Sequence, residues 1–269
     1  LIAESTLWEN EGEASAASRK EAEQVAKEGL AAFQEKGDKR GQAAMLISLA
    51  EVCLDARMGR TDKVRAEEAL THVQQARDLL SDSGADKLKA ICLMTEALIQ
   101  CKKYSYTEAV EASEEAEKAF FVAGDSKGRA RSLHIKSVAH ILKHEIDDGL
   151  DCSRDALRLA RDMGSKKMIG FELLTVALIH MEREKPSEAI PLATEALELF
   201  QATSMGKGFE ALAEQVICEG YLGKDEVDQA VELAEKGVAR TQEMSDRREE
   251  VMAQMTLTTA HLANADFKG

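Results

Sequence analysis

Proline and aromatic residues are scarce: two prolines, Pro186 and Pro191, and 4% Phe, Trp and Tyr in 269 residues. A β-sandwich needs β-branched and aromatic strands with turn clusters rich in Gly and Pro, so that class is disfavoured. Base is also short, with 35 Lys and Arg against 49 Asp and Glu and a formal net charge of −14. Basic surfaces supply most nucleic-acid affinity, so a generic DNA or RNA binder is not expected. The acidity reads more simply as a solvated outer surface. The five cysteines (Cys53, Cys92, Cys101, Cys152, Cys218) are scattered and never form CxxC. They read as reduced small apolar residues of an intracellular, cytoplasmic chain, not as a disulfide frame or a zinc site. No run of about 18 apolar residues occurs, so no membrane span is expected. The chain opens at Leu1 without Met, signal peptide or basic presequence, as a fragment or processed chain would.

What is present is helix-forming and periodic. The chain is 44% hydrophobic and 31% charged, enough to bury a core, and is rich in Ala, Leu, Glu, Lys and Arg. SEAIPLATEALELF at 187–200 repeats the skeleton of TEAVEASEEAEKAF at 107–120. Pairs of small residues seven apart occur at Ala22/Gly29, Ala69/Ala76, Ala109/Ala116, Gly149/Ala156, Ala189/Ala196 and Ala230/Gly237. The steps between first members are 47, 40, 40, 40 and 41, the long one containing the polar insertion RMGRTDKVR. A second small column runs Ala50, Ala97, Ser137, Ala177, Cys218, and a third Ala43, Ala90, Ala130, Gly170, Ala211. A fixed period near 40 marks a stacked solenoid. Small residues at fixed helical positions mark helix crossings, so each unit reads as a hairpin of helix A then helix B. Breakers at Gly37–Asp38, Ser83–Gly84, Gly124–Asp125, Gly164–Ser165 and Ser245–Asp246 separate each B helix from the next A helix. About twelve helices are predicted, with B helices near 16–35, 64–82, 106–122, 147–163, 186–202 and 226–243, and no strand longer than three residues.

These columns resemble the tetratricopeptide repeat family, whose small eighth, twentieth and twenty-seventh positions they match. KPSEAIPLATEALELF and DEVDQAVELAEKGVA are similar to its second helix. The 40-residue length resembles the longer repeats of kinesin light chains and spindle-orientation adaptors. The resemblance implies an all-α, right-handed α-α superhelix of antiparallel hairpins over residues 16–265, with about five full repeats and a helix at each end. Residues 1–15 are expected to be irregular or the end of a preceding repeat. Its helix-B aromatic is replaced here by Val73, Ser113, Ser153, Ala193 and Ala234.

Few residues invite chemistry. His140 and His144 in HILKHE would share a helix face, a spacing that can hold a metal, but no third ligand accompanies them. His140 instead shares a column with Cys53, Gln100, His180 and Tyr221, which reads as packing with a polar edge. GDSKGRA at 124–130 lacks P-loop spacing and joins helix to helix, so it reads as a turn. No nucleophile–base pair stands out. The expectation is a non-enzymatic chain without cofactor or metal.

In the family, ligands touch the second, fifth, ninth and twelfth residues of helix A, on the concave face. Carried onto this chain, the resemblance implies a groove of Ile91, Met94, Leu98 and Cys101, then Arg131, His134, Val138 and Ile141, then Phe171, Leu174, Leu178 and Met181. The alternative is that these side chains are core between adjacent helices. The family's asparagine and Lys/Asn peptide clamps are missing, because the only asparagines are Asn10 and Asn264. The expected function is a protein-interaction scaffold or adaptor binding a partner helix or apolar peptide, as part of a multi-subunit complex where one exists. Two alternatives remain: an effector-sensing arm of a larger protein, and a structural subunit of a large assembly.

Overall fold

The computed structural model describes residues 16–54, 63–81, 86–203, 207–242 and 247–267. Twelve helices follow one another among them. They are α1 (Ala16–Glu35), α2 (Lys39–Leu54), α3 (Lys63–Leu80), α4 (Asp86–Lys102), α5 (Tyr106–Val122) and α6 (Ser126–Leu142). Next come α7 (Ile146–Asp162), α8 (Lys166–Glu182), α9 (Pro186–Thr203), α10 (Lys207–Leu222), α11 (Val227–Gln242) and α12 (Arg247–Phe267). No strand occurs among the described residues. The six predicted B helices fall on α1, α3, α5, α7, α9 and α11, each within about two residues of its observed ends. The insertion at 57–65 and the breakers at 83–84 and 245–246 fall wholly or partly outside the described residues. So do residues 1–15.

Contacts divide the chain into two units, residues 1–152 and 153–269, so α7 contributes its start to the first and the rest to the second. Within the first, α2 with α3 and α4 with α5 form hairpins, and α1, α3 and α5 each pack on the A helix that follows. Within the second, α8 with α9 and α10 with α11 do the same. The apolar core is a series of overlapping clusters, each shared by consecutive helices. Leu46, Val73 and Cys92 join α2, α3 and α4; Met94, Phe120 and Ile135 join α4, α5 and α6. In the second unit Leu173, Phe200 and Val216 join α8, α9 and α10, and Cys218, Ala234 and Ala260 join α10, α11 and α12. No helix can bury its stripe alone, and each depends on its nearest neighbours.

The small columns are where helices cross. Ala109, Ala116, Ala156, Ala177, Ala189 and Ala196 are all fully buried. Where the eighth position carries a donor it also ties the hairpin: Ser137 Oγ donates to the Gly149 carbonyl at 2.7 Å, and Cys218 Sγ to the Ala230 carbonyl at 3.6 Å. A contact not read from the sequence links the end of one helix to the next. Phe120 on α5 lies over Gly128 on α6, and Phe33 on α1 lies over Gly41 on α2. A Cβ at either glycine would come within 2.3 Å of the ring. Phe200 on α9 instead covers Gly170 of the preceding α8, where a Cβ would come within 2.7 Å of the ring.

Helix ends close with one repeated device. After α1, α5 and α7 a glycine at φ near +65° (Gly37, Gly124, Gly164) turns the chain. After α4, α6, α8 and α10 the same left-handed conformation is held by Tyr104, His144, Glu184 and Asp225. In each case the next residue's N–H donates back across the turn, as from Asp125 to the Phe120 carbonyl at 2.9 Å and from Glu145 to that of His140 at 2.9 Å. Asp38 and Asp125 then cap the following helix by accepting from Gly41 and Gly128 backbone N–H groups. Ser165, at the same place before α8, makes no such side-chain bond. GDSKGRA is therefore a turn and an N-cap, with Gly128 packed beneath a phenyl ring.

Candidate functional site

In the first unit α2, α4 and α6 pack side by side, and in the second α8, α10 and α12 do so. Among the described residues α1, α3 and α5 make no comparable contacts with one another, nor do α9 and α11. Helices that touch along one side and not the other place the A set on the inner face of each unit.

The groove positions carried over from the repeat divide into two kinds. Ile91 and Leu98 on α4, Arg131, His134, Val138 and Ile141 on α6, and Phe171 and Met181 on α8 are half-buried, and Leu178 is 41% exposed. Met94 and Leu174, both fifth-position residues, are only 2% and 3% exposed. They belong to the core, so at these two positions the core alternative holds and not the groove. At these two copies of the fifth position the apolar side chain packs among neighbouring helices, whereas His134 in the same column stays half-buried. Phe171 is also largely committed to packing: its ring meets Phe209 at 4.6 Å, edge to face, and Phe200 at 5.8 Å. Such an aromatic set adds stability beyond its buried area.

The first two groove sets lie on adjacent, packed helices of the first unit; the third lies in the second unit. The second unit also holds a site that was not carried over. Gln215, Cys218, Glu219 and Leu222 of α10, with Met255, Thr256 and Thr259 of α12, line a pocket of about 190 Å³. The signal for it was available. Gln215, Glu219 and Leu222 are the fifth, ninth and twelfth residues of the next repeat, so the same columns reach the pocket one unit further along. Met255 is exposed, as are Val251 and Leu262 elsewhere on α12.

His140 and His180 each face an acid. His140 Nδ1 lies 2.7 Å from Glu145 Oε2, and His180 Nδ1 lies 3.3 Å from Glu188 Oε2. His144 does not share a helix face with His140, because α6 ends at Leu142 and His144 occupies the turn at φ 64°. Burial holds the His180 imidazole below its ordinary value, opposed by the Glu188 carboxylate. Burial also pushes the thiols of Cys92 up to about 12 and of Cys101 and Cys218 to about 11. A thiol held in that range is a poor nucleophile. All five cysteines are free, and among the described residues no helix is long and apolar enough to cross a membrane.

No family model matches the chain, and no curated protein matches it in sequence. Solved structures do match in fold. A signal-transduction ATPase with a tetratricopeptide repeat sensor from Pyrococcus horikoshii aligns with a TM-score of 0.70 at 13% identity, over 84% of this chain and 34% of that one. The chain therefore spans about a third of that protein's length. The TPR-like repeats of a kinesin-light-chain-type protein from Podosopora anserina align at 0.59 and 17% identity, over 67% of this chain and 88% of that one. A Rap protein in complex with competence and sporulation factor aligns at 0.59 and 15%, over 84% and 71%. The fold is a tetratricopeptide-repeat solenoid. These likenesses agree with the repeat columns of the sequence in making the fold all-α, of the right-handed α-α class.

Proposed function

We propose that the chain is a non-enzymatic interaction scaffold whose inner A-helix faces receive a helix or apolar peptide of a protein partner. The observation that carries this reading is the pocket between α10 and α12. Its volume of about 190 Å³ falls short of the roughly 300–1,000 Å³ of small-molecule sites. A space that size suits one anchoring side chain of a longer ligand better than a whole cofactor. Leu222 and Met255 supply apolar walls, while Gln215, Glu219 and the threonines supply polar partners at the rim. Methionine adapts its shape to an irregular anchor. Elsewhere in the second unit Leu178 and the exposed parts of Phe171 and Met181 are the contact side chains, with Leu174 supporting them from beneath. In the first unit the corresponding side chains are Ile91, Leu98, Arg131, His134, Val138 and Ile141, with Met94 beneath. A multi-subunit complex is the natural setting for such a scaffold.

The test is selection of a displayed peptide library on the whole chain, followed by cross-linking of the best binder. Selected peptides should share one apolar anchor and cross-link to A helices. Met255→Arg blocks the pocket mouth from a position 65% exposed, and should weaken binding about 30-fold, the loss expected of a hot spot. Cross-links confined to α9 and α11, or an unchanged affinity, would reject the reading. The second reading is an effector-sensing arm of a larger protein, favoured by the sensor repeats of the Pyrococcus horikoshii ATPase. A catalytic or DNA-binding domain elsewhere in the full gene product would support it.

A further inference from the structure

The end of helix A and the start of helix B carry a recurring polar contact. In two hairpins an imidazole from the column His140, His180 meets an acid from the following B helix or its approach. His140 lies with Glu145 and Asp148, and His180 with Glu188. Cys53 occupies that column in the first hairpin, and Glu68 occupies the acid position immediately before the small residue, as Asp148 and Glu188 do. There a third group joins them. His72 sits one turn beyond Glu68 on the same face of α3. One ligand atom each from Cys53, Glu68 and His72 all lie within 4.8 Å of one another.

These groups do not satisfy each other by hydrogen bonding. His72 Nε2 lies 3.9 Å from Glu68 Oε1, beyond hydrogen-bond length, and His72 Nδ1 is buried with no hydrogen-bond partner. We infer that Cys53, Glu68 and His72 form a site for a zinc-class divalent cation, with one sulfur, one oxygen and one nitrogen ligand and a fourth position open.

The donor set selects the ion. Zinc accepts thiolate, imidazole and carboxylate together at about 2.0–2.3 Å, whereas magnesium and calcium take oxygen ligands. Tetrahedral bonds of that length put the ligand atoms about 3.3–3.7 Å apart, so no pair within the set has to close by more than about 1.5 Å. Glu68 can supply that movement, because its side chain is 58% exposed, and the same exposure gives the ion a way in. The surroundings are balanced in charge. Glu23 of α1 acts on both Cys53 and His72 and is ion-paired to Lys27, and Arg65 lies beside Cys53 while donating to the Val52 carbonyl at 3.4 Å. Cys53 would bind as the thiolate, its proton passing to solvent. The ion would tie α2 to α3. The cluster of His140, Glu145 and Asp148 has no sulfur, and its imidazole already bonds Glu145, so it serves as a control.

The test is titration of the metal-free full chain with cobalt(II), then displacement by zinc. One equivalent of cobalt should bring tetrahedral visible bands and a sulfur-to-cobalt charge-transfer band in the near ultraviolet. Cys53→Ser should remove the charge-transfer band. Cys53→Ser and His72→Gln should each weaken zinc binding at least about tenfold, since even outer-shell losses cost that much. His140→Gln should leave the affinity within about twofold. Zinc should raise the melting temperature of the parent and not of Cys53→Ser. Absence of the charge-transfer band in the parent would overturn the site, as would zinc affinity unchanged in both ligand variants. Should circular dichroism show Cys53→Ser misfolded, the exposed Glu68→Gln variant decides: unchanged zinc affinity there overturns the site, and a tenfold loss supports it.

Discussion

At the scale of single residues the fold depends on what is small. Ala189 is wholly enclosed where α8 and α9 cross. Ala189→Leu adds three carbons with nowhere to go and should cost about 1–3 kcal/mol, read by thermal or urea unfolding. Gly128 gives a sharper case, because two effects oppose. Alanine has the higher helix propensity by about 1 kcal/mol, but its Cβ would lie 2.3 Å from the ring of Phe120. That ring is 1% exposed and cannot swing into solvent, so overpacking wins and Gly128→Ala should be net destabilising in the same assay. His180 makes a prediction about pH. Its side chain is 4% exposed, and burial lowers its pKa, with Glu188 opposing and Arg154, Arg183 and Lys185 assisting. The unfolded chain then binds the proton more readily, so stability is full above the ordinary value of 6.5 and falls as pH drops through it. Between pH 7.5 and 5, the parent should lose more stability than His180→Gln.

At the scale of elements the turns carry the most local information. Glycine at Gly37, Gly124 and Gly164 announces a left-handed helix end in the sequence, and the structure places all three at positive φ. The A-to-B turns adopt the same conformation with Tyr104, His144, Glu184 and Asp225, which no residue type announces. The closing hydrogen bonds there compensate a conformation that costs a side-chain-bearing residue about 1–2 kcal/mol. His144→Gly should therefore stabilise the chain by about 0.5–1 kcal/mol, after the greater freedom of glycine in the unfolded state is subtracted. Gly124→Ala, where a Cβ meets nothing within 4 Å, should destabilise by about 1 kcal/mol through the backbone alone. Denaturant midpoints of the two variants should move in opposite directions. Equal shifts would mean that the turns adjust rather than hold their dihedrals.

At the scale of the whole molecule the repeat makes one position serve two ends. Leu174 and Leu178 are one turn apart on α8, yet one is 3% and the other 41% exposed. Leu174→Ser should lower the melting temperature strongly, as loss of a buried leucine costs about 2–5 kcal/mol. Leu178→Ser should leave melting nearly unchanged and weaken partner binding. A Leu178→Ser variant that melts low and binds normally would assign the residue to the core. The helices were legible from sequence because their signals are local: small residues at spacings of seven and twelve, glycines at the ends, and a period of 40 that lets each copy check the next. The site was legible only as columns. Gln215, Glu219 and Leu222 lie in those columns, but that they border an open pocket follows from how α12 seats against α10. Met94 and Leu174 lie in them too, yet their own neighbouring helices close over them. The meeting of Cys53 with Glu68 and His72 has no signature in spacing, since fourteen residues of chain separate the first two. By itself the sequence determined where each helix begins, ends and crosses its partner, because those depend on neighbours along the chain. Which side chains remain open, and which distant groups converge, was decided only by the tertiary structure, because burial depends on how one hairpin rotates against the next.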